Sequence, residues 1–590
     1  MPSLARWWLP CVALGATLLY VCYVASGGFE IDGHRGFSLF DDAMISMRYA
    51  RNLAQGHGLR WNVGEAPVEG YSNLLWTAWM AVVQLLPIPL RVVSLWISLS
   101  SAALLVANLW LVKALVGAAG GGRRPQVFAV VSCAVSYPLV FWSLRGLEVG
   151  LLALLIDAAV LLAWRAETER RTPWPLAIVL SMMVLVRDDA AVPALVVVAY
   201  LVADVRTRPL ANICALAVLG TLLAHLGFRL GYYGAPLPNT YYLKISEIPL
   251  RARLGRGTVA VLRTGATELL LLLVLGALGV ARKPRQRRLW MLVAIVGGQV
   301  ASTLLVGGDA WESWGQPDRF LSIAIPVLTV AAAIGAESLG GEGRDMSRAS
   351  SVFALALLLR AIAIAAGDFV PRSFTVTPPW DLHPGLRGLS DATGVTVAAL
   401  LFGTGVILVV RQGARAAPWA VAVLGAMVIA GSVAMNWRDF FAGERTARQI
   451  HWDNRNAIFG LKLGEVVSPA TTIAVVAAGS IPFFSNLRAV DLLGKNDGHI
   501  AHEAPLERFV PGHDKRDYVY SLTTYTPDLV LELWHHSPEE LSAIAALGYR
   551  TLPNGMYVRA GCPEALVDIV LHRLPEYPFA THRPPTLPPS

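Results

Sequence analysis

Two adjacent aspartates, Asp41 and Asp42, open the run Phe40-Asp41-Asp42-Ala43-Met44-Ile45-Ser46-Met47-Arg48-Tyr49-Ala50-Arg51-Asn52-Leu53, whose apolar residues recur at helical spacing. An acid at a helix start caps the first amides and complements the dipole, and one aspartate is enough for that. The second is spare. On a helix, Asp41, Ile45, Arg48 and Asn52 share a face, so a carboxylate and a guanidinium point the same way. A carboxyl beside an arginine stays ionised, the state a general base needs. Taken alone, capping explains the pair more simply than catalysis does.

Further along come segments of similar character. Glu69-Gly70-Tyr71-Ser72-Asn73 places an acid, an amide and an aromatic ring among glycines, the residue types that bind hydroxyls and stack on sugars. An interfacial aromatic belt would account for Trp76 and Trp79, but it has no use for Glu69 and Asn73. Arg145 with Glu148, and Arg187 with Asp188 and Asp189, stand at the edges of apolar runs. There they are either snorkelling ion pairs or the lining of a cavity. The Pro-punctuated loop 232–244 carries Asn239, Tyr241 and Lys244, which could grip a phosphate, and a last loop runs from Asp309 to Arg319. No pairing of His with acids shows ligand spacing, so no metal site is expected and dependence on a divalent metal is left open.

The elements that must position these residues are membrane helices. Of the 590 residues, 55% are hydrophobic and 15% charged, with a mean hydropathy of +0.52, too much apolar surface for soluble cores to hide. The net charge of +8 does not indicate nucleic acid. Most Lys and Arg before residue 420 sit in short clusters between apolar runs, where they encode orientation. Four of the five cysteines lie in apolar segments, and Cys562 alone lies in the hydrophilic C-terminal region, so that region holds no internal disulfide.

Basic clusters at Lys113/Arg123/Arg124, Arg165/Arg170/Arg171, Arg206/Arg208, 282–288, Arg344/Arg348 and Arg411/Arg415 alternate with mixed polar segments at 29–73, 145–148, 187–189, 232–244, 307–319, 369–390 and beyond Asn436. The positive-inside rule puts the basic clusters in the cytoplasm, provided that 74–87 does not cross; it is only about 14 residues and ends in Leu-Pro-Ile-Pro. The first apolar run, 7–25, is read as an uncleaved helix rather than a signal peptide. About thirteen transmembrane helices follow, with the N-terminus cytoplasmic and the C-terminus outside the cytoplasm. Every segment rich in acids, Arg, Asn and Tyr then emerges on one face.

The set "DDAMISMRYARNLAQGHGLRWN", "EGYSNLLW", "RGLE", "YYGAPLPNTYYLK" and "GGD…RF" resembles the GT-C membrane glycosyltransferases that use polyprenyl-phosphate sugars. Within that class it is most similar to the terminal, B-type arabinofuranosyltransferases of cell-wall arabinan assembly. The likeness extends to "DLLGKNDGHIA" and "PGHDKRDY" near the C-terminus. It implies a polytopic all-α domain at 1–436 with a large first outer loop at 26–89, in a cell membrane. It also implies a lipid-phosphate sugar donor (arabinofuranose favoured, mannose or another hexose the alternative), a polysaccharide or glycolipid acceptor and inversion at the anomeric carbon. By motif match the base is Asp41, with Asp42 next. Arg48, Arg187, Lys244 and Arg319 are the candidates for the donor phosphate. Glu69, Tyr71, Asn73, Arg145, Glu148, Asn239, Tyr241 and Asp309 are expected to line the substrate site. Asp188-Asp189 departs from the pattern, which has Pro after the Arg, and 309–318 is longer and more acidic than usual.

Beyond Asn436 the composition turns to that of a soluble domain, placed at 437–583. Strands are expected at 472–477, 488–493 and 527–533, a capped helix from Ser537 to about Leu547, and a hairpin about Asn554-Gly555. The small domain is expected to be α/β. Its polar clusters Gly494-Lys495-Asn496-Asp497 and His513-Asp514-Lys515 suit either glycan binding or solvated loops. Residues 584–590 read as a disordered Pro-rich tail. There is no P-loop and no dinucleotide fingerprint, so no nucleotide cofactor is expected. A transporter of lipid-linked sugar and a glycan-binding membrane protein without catalysis are the other readings; internal repeats, usual in transporters, are not found.

Overall fold

The computed structural model describes residues 4–168, 172–338, 444–506, 509–534 and 536–575. Among these, six helices are long and apolar enough to cross a membrane: Trp7–Ser26, Leu90–Ala118, Val149–Ala166, Arg208–Tyr232, Leu250–Arg282 and Arg287–Val306. The pair Arg123–Ala134 and Tyr137–Leu144, bent by 45°, makes a seventh if it is one broken span. The apolar helices mark a membrane protein. The expected thirteen spans are not all present here. Those placed beyond residue 338, the basic clusters at 344–348 and 411–415, the segment 369–390, the boundary at 436 and the tail from 584 lie outside the described residues.

Two expected spans differ for a physical reason. Trp174–Val186 and Ala191–Val202 are helices of only 13 and 12 residues, separated by Arg187, whose backbone is fully extended (φ −159°, ψ 138°). At 1.5 Å per residue each covers roughly 20 Å, short of the ~30 Å hydrocarbon core. The chain breaks where charge must be delivered. Leu74–Gln84 is an 11-residue helix of roughly 16 Å that stops ahead of Pro87, in keeping with a segment that does not cross.

The basic segments converge at one end of the bundle. Arg288 donates to the Ala118 carbonyl and pairs with Glu167 at 2.8 Å. Arg287 donates to the Tyr200 carbonyl at 3.0 Å, Gln286 to that of Ala119 at 3.1 Å, and the Gly122 amide to Glu337 at 3.0 Å. The mixed polar segments gather at the other end, around the helix Asp41–Ala54. Phe40 precedes this helix and packs edge-to-face on Trp142 and Trp311, with ring centroids 5.1 and 4.5 Å away. Phe40 is also its N-cap residue, without a side-chain cap, so neither aspartate is the cap that the sequence suggested.

The C-terminal region forms a five-stranded sheet in the order β4-β3-β5-β7-β6, with β3 at Thr472–Val475, β4 at Arg488–Asp491, β5 at Leu529–Val530, β6 at Tyr549–Thr551 and β7 at Tyr557–Arg559. β4, β3 and β5 are parallel, while β7 runs antiparallel to β5 and β6. All four residues of β3 are buried, as a central parallel strand requires. The helix Pro538–Ala546 starts with a capping box between Ser537 and Glu540, and the β6–β7 hairpin turns at Gly555 with φ of +93°. A small hairpin, β1 (Phe29–Ile31) with β2 (His34–Gly36), lies in the first loop.

This domain seats on the helix Asp41–Ala54. Gly479, just after β3, approaches so closely that a Cβ there would lie 1.9 Å from the Asp41 carbonyl oxygen. Arg48 sends its guanidinium into the seam, donating to the carbonyls of Pro482 (2.5 Å), Leu487 (2.8 Å) and Trp61 (2.7 Å) and to Asn62 (2.7 Å). Arg51 donates to the Phe483 carbonyl at 2.8 Å. Lys515 is fully buried and donates to the carbonyls of Tyr242, Ser246 and Ala501 at 3.1–3.2 Å. Arg48→Met should cost about 3 kcal/mol by orphaning these carbonyls. Gly479→Ala should loosen the seam by backbone collision. Melting curves and limited proteolysis of the detergent-purified protein would show earlier unfolding and cleavage within 444–575. Unchanged curves in both variants would contradict the seam.

Candidate active site

Where the mixed polar segments meet lies a cavity of about 400 Å³. Asp42 stands on its wall, one residue into the helix that Phe40 anchors. Its Oδ1 accepts from Lys495 Nζ at 2.7 Å, and its Oδ2 from Trp311 Nε1 at 3.1 Å and Arg319 Nη1 at 3.2 Å. Burial pushes the Asp42 carboxyl up, but Lys495 and Arg319 outweigh it and hold the group well below the usual carboxylate range. Arg319 is held in turn by Asp309, Nε to Oδ2 at 2.9 Å. Asp309 caps the short turn Ala310–Trp314 in a capping box with Glu312. Burial lowers the Arg319 pKa, but Asp309 and Asp42 more than offset it, so the guanidinium stays charged.

The opposite wall carries Arg187 and Lys244. Arg187 binds Asp189 through Nε (2.9 Å) and Nη2 (2.5 Å), reaches Glu148 at 3.4 Å, and lies 4.7 Å from the Phe320 ring centre. Glu148 also accepts from Asn73 at 2.9 Å, and Asn73 from Ser46 at 2.9 Å. Lys244 is different. Its ammonium sits 5.3 Å from the Phe320 centre, and no described acid is within ion-pair distance of it. Burial, with Arg319 nearby, pushes its pKa down to about 8. A poorly solvated cation without a direct counterion is suited to binding an anion.

Of the residues singled out in the sequence, Asp42, Tyr71, Asn73, Glu148, Arg187, Tyr241, Lys244, Asp309 and Arg319 line the cavity. Five do not. Asp41 turns toward the C-terminal domain, where its carboxylate accepts from the amides of Ser480 (2.8 Å) and Gly479 (3.2 Å). Burial raises its pKa, and those amides partly offset the rise. Arg48 is spent on the seam carbonyls, so it points away from both aspartates. Glu69 is gripped at 2.7 and 3.0 Å by Arg229, which also holds Asp188 at 2.8 Å, so it braces the cavity wall from behind. Arg145 pairs with Asp453 at 2.5 Å, and Asn239 donates through its amide to Glu69 O and through its side chain to Gly494 O.

Lys495 and His513 line the cavity and were not assigned to the site from the sequence. A signal for Lys495 exists. It lies just past the carboxyl end of a parallel strand, β4, where open α/β sheets place ligands. Gly479 follows β3 in the same way. His513 is kept neutral, its pKa driven to about 3 by burial and then by Lys495. Outside the cavity, His499, Glu503 and Asp517 bring ligand atoms within 4.8 Å of one another, so His and acids do share metal-ligand spacing here. That group is unspecific: it is partly exposed, and His499 already pairs with Glu503 at 3.1 Å.

Over nearly its whole length the chain is similar to ArnT from Cupriavidus metallidurans bound to undecaprenyl phosphate, with a TM-score of 0.57 and 13% identity across 94% of this chain and 98% of that one. The apo state of the same protein gives 0.55, at 14% identity and the same coverage. The fold is that of the GT-C membrane glycosyltransferases. AglB, the archaeal oligosaccharyltransferase from Archaeoglobus fulgidus in complex with an inhibitory peptide and a dolichol-phosphate, is more distant, with a TM-score of 0.47 and 12% identity over 95% of this chain and 75% of that one. Residues 445–561 match a family described as "Domain of unknown function (DUF8728)". No curated protein matches the chain in sequence.

The two cavity lysines offer a direct check on this electrostatic picture. At pH 8 about half of Lys244 is neutral, whereas Asp42 raises the Lys495 pKa despite burial. An amine-reactive label at pH 8 should therefore favour Lys244 strongly over Lys495. Equal labelling, read by peptide mass spectrometry, would contradict it.

Proposed function

We propose that the protein is a membrane glycosyltransferase that moves a sugar from a polyprenyl-phosphate donor to a hydroxyl of an extracytoplasmic glycan. The observation that carries this reading is the placing of an ionised carboxylate, Asp42, in one cavity with Lys244, a cation without a described counterion. The fold shared with ArnT supports the class. The motif resemblance favours arabinofuranose as the sugar, with mannose or another hexose as the alternative. The distribution of basic clusters in the sequence supports a cavity on the non-cytoplasmic face, with the N-terminus in the cytoplasm.

In this mechanism the donor phosphate sits against Lys244 and Arg319. The acceptor hydroxyl attacks the anomeric carbon from the side opposite the phosphate. Its proton passes to Asp42 as the new C–O bond forms, the bond from carbon to phosphate oxygen breaks, and polyprenyl phosphate leaves with one more negative charge. That added charge is why cations accelerate the step: they bind the departing phosphate more strongly than the diester it came from. We assign the base to Asp42 in preference to Asp41, because Asp42 lines the cavity whereas Asp41 turns away from it to the amides of Gly479 and Ser480. Tyr71, Asn73, Tyr241 and Glu148 are left to contact sugar hydroxyls.

The test is sugar transfer by purified protein in detergent, supplied with polyprenyl-phosphate arabinofuranose or polyprenyl-phosphate mannose and a panel of acceptor glycans. Transfer from one donor is expected, and Asp42→Asn should reduce kcat by about 10²-fold or more. Neither transfer nor donor hydrolysis from either lipid, in a folded protein, would overturn the reading. The pH dependence has a definite sign. Lys244 binds phosphate only when protonated, so kcat/KM for the donor should fall as pH rises through about 8. Lys244→Arg, which keeps its charge, should move that limb beyond the measurable range. A limb unmoved in the variant would remove Lys244 from the donor site.

A further inference from the structure

The carboxylate assigned as base has no free oxygen. Lys495 occupies Oδ1, and Trp311 and Arg319 occupy Oδ2. Three of its roughly four lone pairs are engaged, and the one left, on Oδ1, lies beside the Lys495 ammonium, so the group is a weak base until that ammonium withdraws. We propose that Lys495 is a positioning residue that locks Asp42 in the resting protein and releases it when the anionic phosphate of a bound sugar donor takes over its ammonium. The proposal rests on the reading of Asp42 as base.

Three observations single out Lys495 as the partner that moves. Arg319 is tied a second time, to Asp309 at 2.9 Å, at the start of the short helix Arg319–Ser322. Trp311 is packed edge-on against Phe40 with ring centres 4.5 Å apart. Lys495 has one side-chain acceptor, Asp42, at the end of a flexible four-carbon stem, and it lines the same cavity as Lys244. Its backbone, by contrast, is fixed. Gly494 before it takes a φ of +79°, and Asn496 after it bonds Asp491 through its amide at 2.8 Å and Tyr49 through its side chain at 2.9 Å. A firm base with a loose ammonium suits a swing from one anion to another.

The exchange makes and breaks no covalent bond. The ammonium keeps its three protons, a phosphate oxygen replaces Asp42 Oδ1 as its acceptor, and the freed lone pair meets the acceptor hydroxyl. The other charged or titratable groups that face Asp42 are Arg319, His513 (neutral in this setting), its neighbour Asp41 and, across the cavity, Lys244. With His513 uncharged, Lys495 is the one mobile cation in direct contact with the base among the described residues. Donor must then bind before the base can act, and the α/β domain takes part in the chemistry through this lysine.

The experiment is the acid side of the pH–rate profile for sugar transfer, in the full-length protein. In kcat/KM for the donor, which reports the free protein, Asp42 is locked and the profile should stay flat to the lowest pH tolerated. In kcat, with donor bound, Asp42 is released and the rate should fall tenfold per pH unit at a pH where kcat/KM is still flat. Lys495→Met should raise KM for the donor and bring the two acid limbs together. Lys495→Arg should restore KM and part of the separation, which a purely structural role would not do. Coincident limbs in the unaltered protein, or a separation that persists in Lys495→Met, would overturn the lock. Asp42→Asn run alongside separates the two ideas. If it transfers sugar as well as the unaltered protein, the base assignment itself has failed; if it is inactive while the limbs coincide, only the lock has failed.

Discussion

The amides of Gly479 and Ser480 hold the carboxylate of Asp41, and much of the molecule is arranged around that contact. A buried carboxylate needs such donors or it protonates, and these two come from a chain segment more than 400 residues away. By meeting them, Asp41 fixes the start of the helix Asp41–Ala54 against the α/β domain. The next residue, Asp42, is thereby turned to the cavity, opposite a lysine of that same domain. Two adjacent aspartates therefore divide the work. One joins the domains, and the other faces the space between them.

The cavity lining carries five acids against four cations, and every one of them but Lys244 stands in a direct ion pair. Asp189 and Glu148 answer Arg187, Asp309 and Asp42 answer Arg319, and Asp42 answers Lys495. Lys244 is left over. Such a site tolerates burial of many charges because they are paired, and it keeps one cation, Lys244, free of a direct partner, with Asp309 and Asp42 acting on it only through space. This pattern suits a monoanionic lipid diester better than a neutral sugar. Arg48 and Lys515, equally buried, take no part, since backbone carbonyls and, for Arg48, Asn62 already accept from them.

Much of this was readable from the residues. A charge at the edge of an apolar run is costly unless used, which marks Arg187; Lys244 stands out in a Pro-punctuated loop, and Asp309 with Arg319 in another, and all four meet in the cavity. The Ser537–Glu540 box, the Asn554-Gly555 turn and the β3 run are local signals, and each appears where expected. What local signals do not carry is the identity of distant partners. Helical spacing put Arg48 on the face of Asp41, yet its acceptors are carbonyls of a loop in the other domain. Arg145 read as a cavity arginine until Asp453, 308 residues on, claimed it. The same limit left Lys495 in a polar cluster open to glycan binding or to solvation, since its place depends on which helix the sheet's loops dock against. Periodicity also could not show that the helices flanking Arg187 stop at 13 and 12 residues, since their composition is that of full spans.

The most direct measurement is a structure of the protein with a non-hydrolysable phosphonate analogue of the polyprenyl-phosphate sugar. The account places the phosphonate within hydrogen-bond distance of Lys244 and Arg319, with the anomeric carbon facing Asp42 and the lipid chain leading out into the membrane. A headgroup bound among the basic segments at the far end of the bundle, or one that leaves Lys244 without an anion, would contradict it.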